Sequence, residues 1–530
     1  MPENITIAGN ATVAKLINAS DKVKSEVTQL LSYMVEGFEH MHAFTQGGWN
    51  GRSSFFSLKS ATFPAGFMHL VHGELVRAGH RVQIVRRPLP APLGPENPIV
   101  DKFGNDDPRY DFQLKALRQV EKHGRGIIQV ATGGGKSKIA RLITARYRRP
   151  TLFLTTRGVL MYQMKKSFVR DCGFTVGLIG DGHWAPTRGI NCGMVQTFVA
   201  QLKEPDIDVE TREIIRQVSE KGESIDKKAA RIQAKPIFEA KLKTRARMIK
   251  LLSMFEVVIG EEAHEAGGNS YYEILRHCKK AEIRVALTAT PFMRDEAEDN
   301  MRLMAAFGPI LIKVSEDILI RRGILAKPYF MFRSPPPHPK LRKTSPWQRA
   351  YELGITTCPY RNADIVGLAK LGASYGLSVL ILVQRKKHGP ELLGLLKAAG
   401  LRGVQIQGES DQEARERALG MLERGEIDFL IGTTIVDVGV DVPSIGMGIL
   451  AGGGKAEVGH RQRIGRTLRA KAKGPNIALI VDYTDELNSH LRGHARQRRN
   501  IIEQTPGFVE GILKPGQDFP WHLFEKKRAA

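Results

Sequence analysis

Runs of apolar residues, separated by longer mixed segments, mark out two regions of parallel-sheet character along the chain. In the first, Gly126-Ile127-Ile128-Gln129, Leu152-Phe153-Leu154, Phe255-Glu256-Val257-Val258-Ile259-Gly260 and Arg284-Val285-Ala286-Leu287 are short and mostly apolar without strict alternation. Strands covered by helices on both faces read this way. Ser378-Val379-Leu380-Ile381-Leu382-Val383 and Phe429-Leu430-Ile431-Gly432-Thr433-Thr434 repeat the pattern further on, with helix-like segments between them. That βαβ rhythm predicts an α/β fold with two parallel-sheet lobes in tandem.

Other segments punctuate this layout. Residues 203–250 are rich in Glu, Lys and Arg and interrupt the first lobe. Their spacing predicts surface helices, either a solvated insert or a DNA-contacting arm. Ser334-Pro335-Pro336-Pro337-His338-Pro339 predicts an extended excursion, because proline lacks the amide donor that a helix or central strand requires. Upstream, Gly47-Gly48-Trp49-Asn50-Gly51-Arg52 precedes a β-rich run, then Phe63-Pro64-Ala65-Gly66-Phe67, a helix-like stretch to Gly79 and the strand-like Val82-Gln83-Ile84-Val85. The expected division is an N-terminal extension over 1–34, a small α/β domain over 35–104, lobe 1 over 105–322, lobe 2 over 323–485, and a C-terminal helix and tail over 486–530.

Chemistry enters where strand meets helix. Val130-Ala131-Thr132-Gly133-Gly134-Gly135-Lys136-Ser137 closes one apolar run and opens onto Lys138-Ile139-Ala140. Such a loop lets backbone amides from Thr132 to Gly135 close around phosphates at a helix N-terminus, with Lys136 as a mobile positive charge and the Ser137 hydroxyl as a Mg²⁺ ligand. The run ending at Gly260 then delivers Glu261-Glu262-Ala263-His264 to the carboxyl edge of its sheet, where ligands bind in open parallel sheets.

This order of motifs resembles the superfamily 2 helicases of the DExH type, including Val130 where a strict phosphate loop has its first glycine. The resemblance implies two RecA-like lobes that use ATP and Mg²⁺. It implies that Glu261 holds the metal, that Glu262 polarises the attacking water, and that His264 links the ATP site to the nucleic-acid side. Glu261 stands where the family has aspartate, and its extra methylene bears on Mg²⁺ affinity. By the same resemblance Thr288-Ala289-Thr290 would relay ATP state. Gly439 and Asp441, within Asp437-Val438-Gly439-Val440-Asp441-Val442-Pro443, would face the nucleotide. In His460-Arg461-Gln462-Arg463-Ile464-Gly465-Arg466-Thr467-Leu468-Arg469, Gln462 would orient the γ-phosphate or water, with Arg466 and Arg469 as arginine fingers. Arg109-Tyr110-Asp111-Phe112-Gln113 is similar to a Q-motif, in which Gln113 would read the adenine edge and Arg109 or Tyr110 would stack on the base.

Nucleic-acid contacts follow the same reasoning. Thr156 and Arg157 end a strand that looks like motif Ia, and Gln196 and Thr197 sit in a segment that looks like motif Ib. Hydroxyls, amides and an arginine at strand ends suit phosphate contact that positions a strand without reading its sequence. Thr433 and Thr434 occupy the equivalent place in the second lobe. The N-terminal part resembles the small domain ahead of the core in the phage UvsW-like helicases, with Trp49 and Arg52 as DNA contacts. A structural tryptophan with a turn arginine accounts for the same two residues.

Composition agrees with a polyanionic partner: 530 residues carry 79 Lys and Arg against 55 Asp and Glu, a net charge of +24. No apolar run is long enough to span a bilayer, and Met1-Pro2-Glu3-Asn4 lacks the features of a signal peptide. Cys172, Cys192, Cys278 and Cys358 are too scattered for a metal pair. The expected location is the cytoplasm, the host's if the gene is a phage's. The expected function is an ATP-dependent DNA helicase or translocase on branched DNA in recombination, replication or repair, bound independently of base sequence. The alternatives are an RNA helicase and a DNA-binding scaffold with a weakened ATPase. Protein partners are unknown, and oligomeric state is open, a monomer being compatible with the sequence.

Overall fold

The computed structural model describes residues 2–524 except His264, Ala266, 293–296, 407–411, 434–444, 455–463, Arg466 and 472–473. The chain divides into two compact units, one of residues 1–130 with 136–313 and one of 131–135 with 314–530.

The first unit begins with a small four-stranded sheet. Strands β1 (Asn4–Gly9), β2 (Val13–Ile17), β5 (Thr62–Pro64) and β6 (Arg81–Arg86) lie in the order β5-β2-β1-β6, while β3 (Ser32–Met34) and β4 (Arg52–Ser54) form a separate ribbon. β1 pairs antiparallel with β2 and parallel with β6. Period-two patterning sends Ile5, Ile7, Ala14 and Leu16 inward and leaves Val13 and Ile17 exposed. The helix Asp21–Leu30 is capped by Ser20, whose hydroxyl accepts from the amide of Val23, and it buries Val23 and Val27 on the sheet. The expected boundary at residue 34 therefore runs through one folded body: residues 4–34 supply half of the sheet and are no extension. Their strands are buried on one face only, and interleaved Asn, Thr and Lys dilute the apolar signal.

The small domain shares its core with the lobe that follows. Ala305 and the flanking Met301 and Met304 pack into the cluster of Phe63, Phe67 and Val71. A Cβ at Gly66 would collide with the backbone carbonyls of Met304 and Ala305, so only glycine permits this approach. Arg125 adds a hydrogen bond to the Ala11 carbonyl at 2.9 Å.

Lobe 1 carries an eight-stranded sheet of β7 (Arg125–Val130), β8 (Thr151–Thr155), β9 (Val176–Gly180), β10 (His183–Ala185), β11 (Ile190–Met194), β12 (Val257–Glu261), β13 (Ile283–Thr288) and β14 (Ile310–Val314). Its order is β10-β9-β11-β8-β12-β13-β7-β14. The run β9-β11-β8-β12-β13-β7 is parallel, so β7, β8, β12 and β13 all end at one carboxyl edge. Residues 203–250 form the helices Ile207–Glu220 and Lys227–Leu252, which start on the caps Asp206 and Asp226. Only the end of the second helix enters the lobe core, through Met248, Leu251 and Leu252.

The second unit holds a six-stranded parallel sheet in the order β15-β20-β19-β16-β18-β17. Its strands are β15 (Lys327–Arg333), β16 (Val379–Leu382), β17 (Gly403–Ile406), β18 (Phe429–Gly432), β19 (Met447–Ile449) and β20 (Ile477–Tyr483). Both lobes are RecA-like. Ser334–Pro337 is extended without regular structure, as the prolines require. The C-terminal helix Ser489–Gln504 is tied down by Arg498, whose guanidinium meets the Asp482 carboxylate at 2.9 Å with both side chains 3% exposed. Leu513 and Phe519 then enter the sheet's core, so the segment expected as a tail completes this lobe. Among the described residues no helix is long and apolar enough to cross a membrane.

Candidate nucleotide site and nucleic-acid contacts

The glycine loop leaves β7 and enters the helix Lys136–Tyr147 at Lys136. Gly133 and Gly135 have φ of +89° and +80°, a left-handed conformation that side chains resist. Ser137 lies in the first helical turn, and the Lys136 ammonium reaches back to Glu262, 3.3 Å from its carboxylate oxygen. These two side chains are 9% and 12% exposed, so the pair is largely shielded from water.

β12 carries Glu261 and Glu262 to the carboxyl edge. Glu261 ends the strand, and its backbone carbonyl accepts from the Tyr271 hydroxyl at 3.0 Å. Burial pushes the Tyr271 phenol well above its ordinary pKa, helped by the nearby charges of Glu261, Glu265 and Glu262, so it remains a donor. Tyr271 packs edge-on against Phe307, and a Cβ at Gly260 would lie 2.8 Å from the Tyr271 ring and 2.9 Å from Phe307. Glu262 is a non-glycine residue at φ +46°, a strained conformation of the kind that clusters at functional sites. Thr288 closes β13 beside it in sheet order, and its hydroxyl accepts from the Thr290 amide at 3.2 Å.

Gln113 is buried in the helix Asp111–His123. Arg109 is half exposed and paired with Asp107 at 2.6 Å, a contact that raises the guanidinium pKa. The preceding segment is fastened to the nucleotide-loop helix by Lys138 on Asp101 at 3.3 Å. The loop's glycine geometry, an adjacent ammonium, a hydroxyl in the first turn and two carboxylates at the sheet edge form a donor set suited to a nucleotide triphosphate and a divalent cation.

Thr156 and Arg157 follow β8 at the same carboxyl edge, Arg157 as cap of the helix Gly158–Cys172. Gln196 donates to the Thr156 carbonyl at 2.9 Å, which joins the two expected phosphate-contact segments. Gln196 and Thr197 open the helix Val195–Leu202 directly after β11. Sequence reasoning missed Glu265. Its carboxylate accepts from the Thr156 hydroxyl at 2.6 Å and from Arg157 at 2.6 and 3.0 Å. Only the sheet order brings these residues together.

Trp49 and Arg52 share one turn. The indole donates to the Arg52 carbonyl at 2.6 Å, the Arg52 guanidinium donates to the Ser32 hydroxyl at 2.9 Å, and Gly51 has φ +76°. Both side chains thus have local structural work, while Arg52 remains exposed. In the second unit Thr433 follows β18, and Arg469 bridges to Leu325 through its backbone. Arg385, Lys386 and Lys387 line a hollow of about 510 Å³ just beyond β16. His264, Thr434, Gly439, Asp441, Gln462 and Arg466 lie outside the described residues.

Residues 108–293 match the family model for the type III restriction enzyme res subunit, and residues 365–471 match the helicase conserved C-terminal domain. The chain belongs to the superfamily 2 helicases. This helicase is 24% identical over 395 residues to "Putative helicase 22" of Sulfolobus islandicus filamentous virus, covering 70% of this chain and 64% of that one. It is 25% identical over 173 residues to the ATP-dependent rRNA helicase RRP3 of Yarrowia lipolytica, covering 33% and 35% of the two chains. The helicase thus spans less than two thirds of either relative's own length. The crystal structure of UvsW from phage T4 aligns over 94% of this chain and 97% of that chain, with a TM-score of 0.44 and 18% identity.

Proposed function

We propose that this helicase is an ATP-driven DNA translocase that remodels branched DNA in recombination, replication or repair. The observation that carries the catalytic part is the pairing of Lys136 with Glu262 at the carboxyl edge of the first sheet. An incoming triphosphate competes for the Lys136 ammonium. Once Lys136 moves onto phosphate, Glu262 is released to orient the attacking water as a general base. Ser137 and Glu261 would hold Mg²⁺, which when bound neutralises phosphate charge. Gly133, Gly134 and Gly135 supply backbone amides, Gln113 and Arg109 recognise adenine, and the family resemblance gives Gln462, Arg466 and Arg469 their roles toward the γ-phosphate.

DNA as the track is supported by the net charge of +24 and by Thr156, Arg157, Gln196 and Thr197 gathered at one edge. Contacts to phosphates hold any sequence, which suits a translocase. The branched-DNA assignment rests on the resemblance of the Trp49–Arg52 turn to the phage UvsW-like domain. RNA is the second reading, favoured by the likeness to an rRNA helicase. ATPase rates measured side by side with single-stranded DNA, duplex, a four-way junction and RNA decide between them. The junction should stimulate most. Equal or greater stimulation by RNA assigns the chain to RNA, and no hydrolysis with any of the four refutes both readings.

A further inference from the structure

Thr156 and Arg157 are engaged by a carboxylate of the chain itself. The Glu265 carboxylate holds the Thr156 hydroxyl at 2.6 Å and grips the Arg157 guanidinium with both oxygens, at 2.6 Å through Nη2 and 3.0 Å through Nε. Glu265 is 17% exposed and Arg157 33%, so water screens the pair only in part. A backbone phosphate is the other partner that fits such a fork. Carboxylate and phosphate are both anions, and the donors that meet Glu265 cannot serve both at full strength.

Glu265 is also bound to the nucleotide site. Its amide donates to the Glu262 carbonyl at 2.8 Å, closing a turn of one residue on the next three. Glu262 itself sits at φ +46° with its carboxylate 3.3 Å from Lys136. A strained backbone persists only while its surroundings hold it, and Glu265 joins this turn to the loop after β8.

We propose that Glu265 is a positioning residue that reports nucleic-acid occupancy to Glu262: its carboxylate and a backbone phosphate compete for the same Thr156 and Arg157 donors, and an arriving phosphate displaces it. This rests on the roles given above to Glu262, Thr156 and Arg157. Displacement of the Glu265 side chain frees the turn and lets Glu262, once Lys136 has moved onto phosphate, leave its strained conformation, and so ties hydrolysis to an occupied track.

The test is Glu265→Gln, with Glu265→Asp as the variant that keeps the charge but shortens its reach. ATP hydrolysis is measured with and without oligodeoxythymidine and duplex DNA, and DNA affinity by fluorescence anisotropy at fixed salt. Glu265→Gln should bind DNA roughly tenfold more tightly, about 1.4 kcal/mol. Its DNA-free hydrolysis should rise severalfold while the DNA-saturated rate stays near wild type, so that the stimulation ratio falls; Glu265→Asp should lie between the two. Wild-type affinity and stimulation in Glu265→Gln, or weakened binding in both variants, overturns the proposal, the second result making Glu265 a brace for the loop. If Glu265→Gln does not fold, Glu265→Asp decides alone by the same criteria. A wild-type protein that no nucleic acid stimulates refutes the parent reading instead.

Discussion

Replacing Glu262 by Gln should separate nucleotide binding from hydrolysis, because in the proposed function the carboxylate opposes one and performs the other. It faces Lys136 at 3.3 Å. At an effective dielectric constant of about 20 that separation corresponds to about 5 kcal/mol of gross attraction. Desolvation of two nearly buried side chains offsets most of it, leaving on the order of 1 kcal/mol that an arriving phosphate must displace. Glu262→Gln removes this competitor, so ATP should bind as tightly as in wild type or up to about tenfold more tightly. Hydrolysis should fall by about 10² to 10⁴, the usual contribution of a positioned general base. Lys136→Ala should act oppositely on binding, losing a charge-assisted contact of about 1.5–3 kcal/mol. Titration with a fluorescent ATP analogue and phosphate release with saturating DNA measure both quantities on the same protein. Hydrolysis by Glu262→Gln at the wild-type rate refutes the assignment. Binding weakened by more than about tenfold would mean that Glu262 braces the loop and does not compete with the nucleotide.

Three further outcomes are expected. Glu261→Asp should keep or raise DNA-stimulated hydrolysis while Glu261→Ala demands much more Mg²⁺, as a Mg²⁺ titration would show; an unchanged Mg²⁺ requirement in Glu261→Ala removes this carboxylate from the metal site. Arg498→Met leaves Asp482 buried without its guanidinium and should cost about 3–5 kcal/mol, read as a melting temperature lower by roughly 6–20 °C for a unit of this size; a shift under about 3 °C would contradict the anchoring role of this pair. Burial, with the charge of Arg361 second, pushes His388 down to about 3, below its ordinary value, so its contribution to stability is present above about pH 6.5 and is lost as pH falls toward 3. Urea melts from pH 7.5 to 5 should show a slope up to about 1.4 kcal/mol per pH unit greater in wild type than in His388→Gln, and equal slopes would show that His388 does not titrate on unfolding.

The central strands were legible because burial on both faces leaves mostly apolar residues to read. The run before Glu261 is strand β12 for this reason, and the run before Gly133 is β7. β1 and β2 were not legible, since strands covered on one face by a single helix layer keep Asn, Thr and Lys on the other. The C-terminal segment was equally opaque: Leu513 and Phe519 stand among polar residues and become core only because the sheet lies beneath them. At the candidate site, the glycine loop and the carboxylates could be named from local order. Glu265 could not, because its meeting with Thr156 and Arg157 depends on β8 and β12 being sheet neighbours although about a hundred residues apart in sequence, 108 between Arg157 and Glu265. Trp49 and Arg52 stand three residues apart in the sequence, but the turn they close on themselves is visible only in three dimensions.

The contact of Gly66 with the Met304 and Ala305 carbonyls also limits how this chain can be cut or recombined. Residues 4–86 look like a transplantable module, yet one wall of their interior is the helix Ala297–Phe307, two hundred residues away. A chain begun near Asn105 would present that helix's methionines and alanine to water and should be prone to aggregate. Conversely, the module grafted onto another helicase would arrive without its floor. Exchange between related genes at any point between residues 86 and 297 separates partners that were shaped for each other, so a working chimera must take both from one parent.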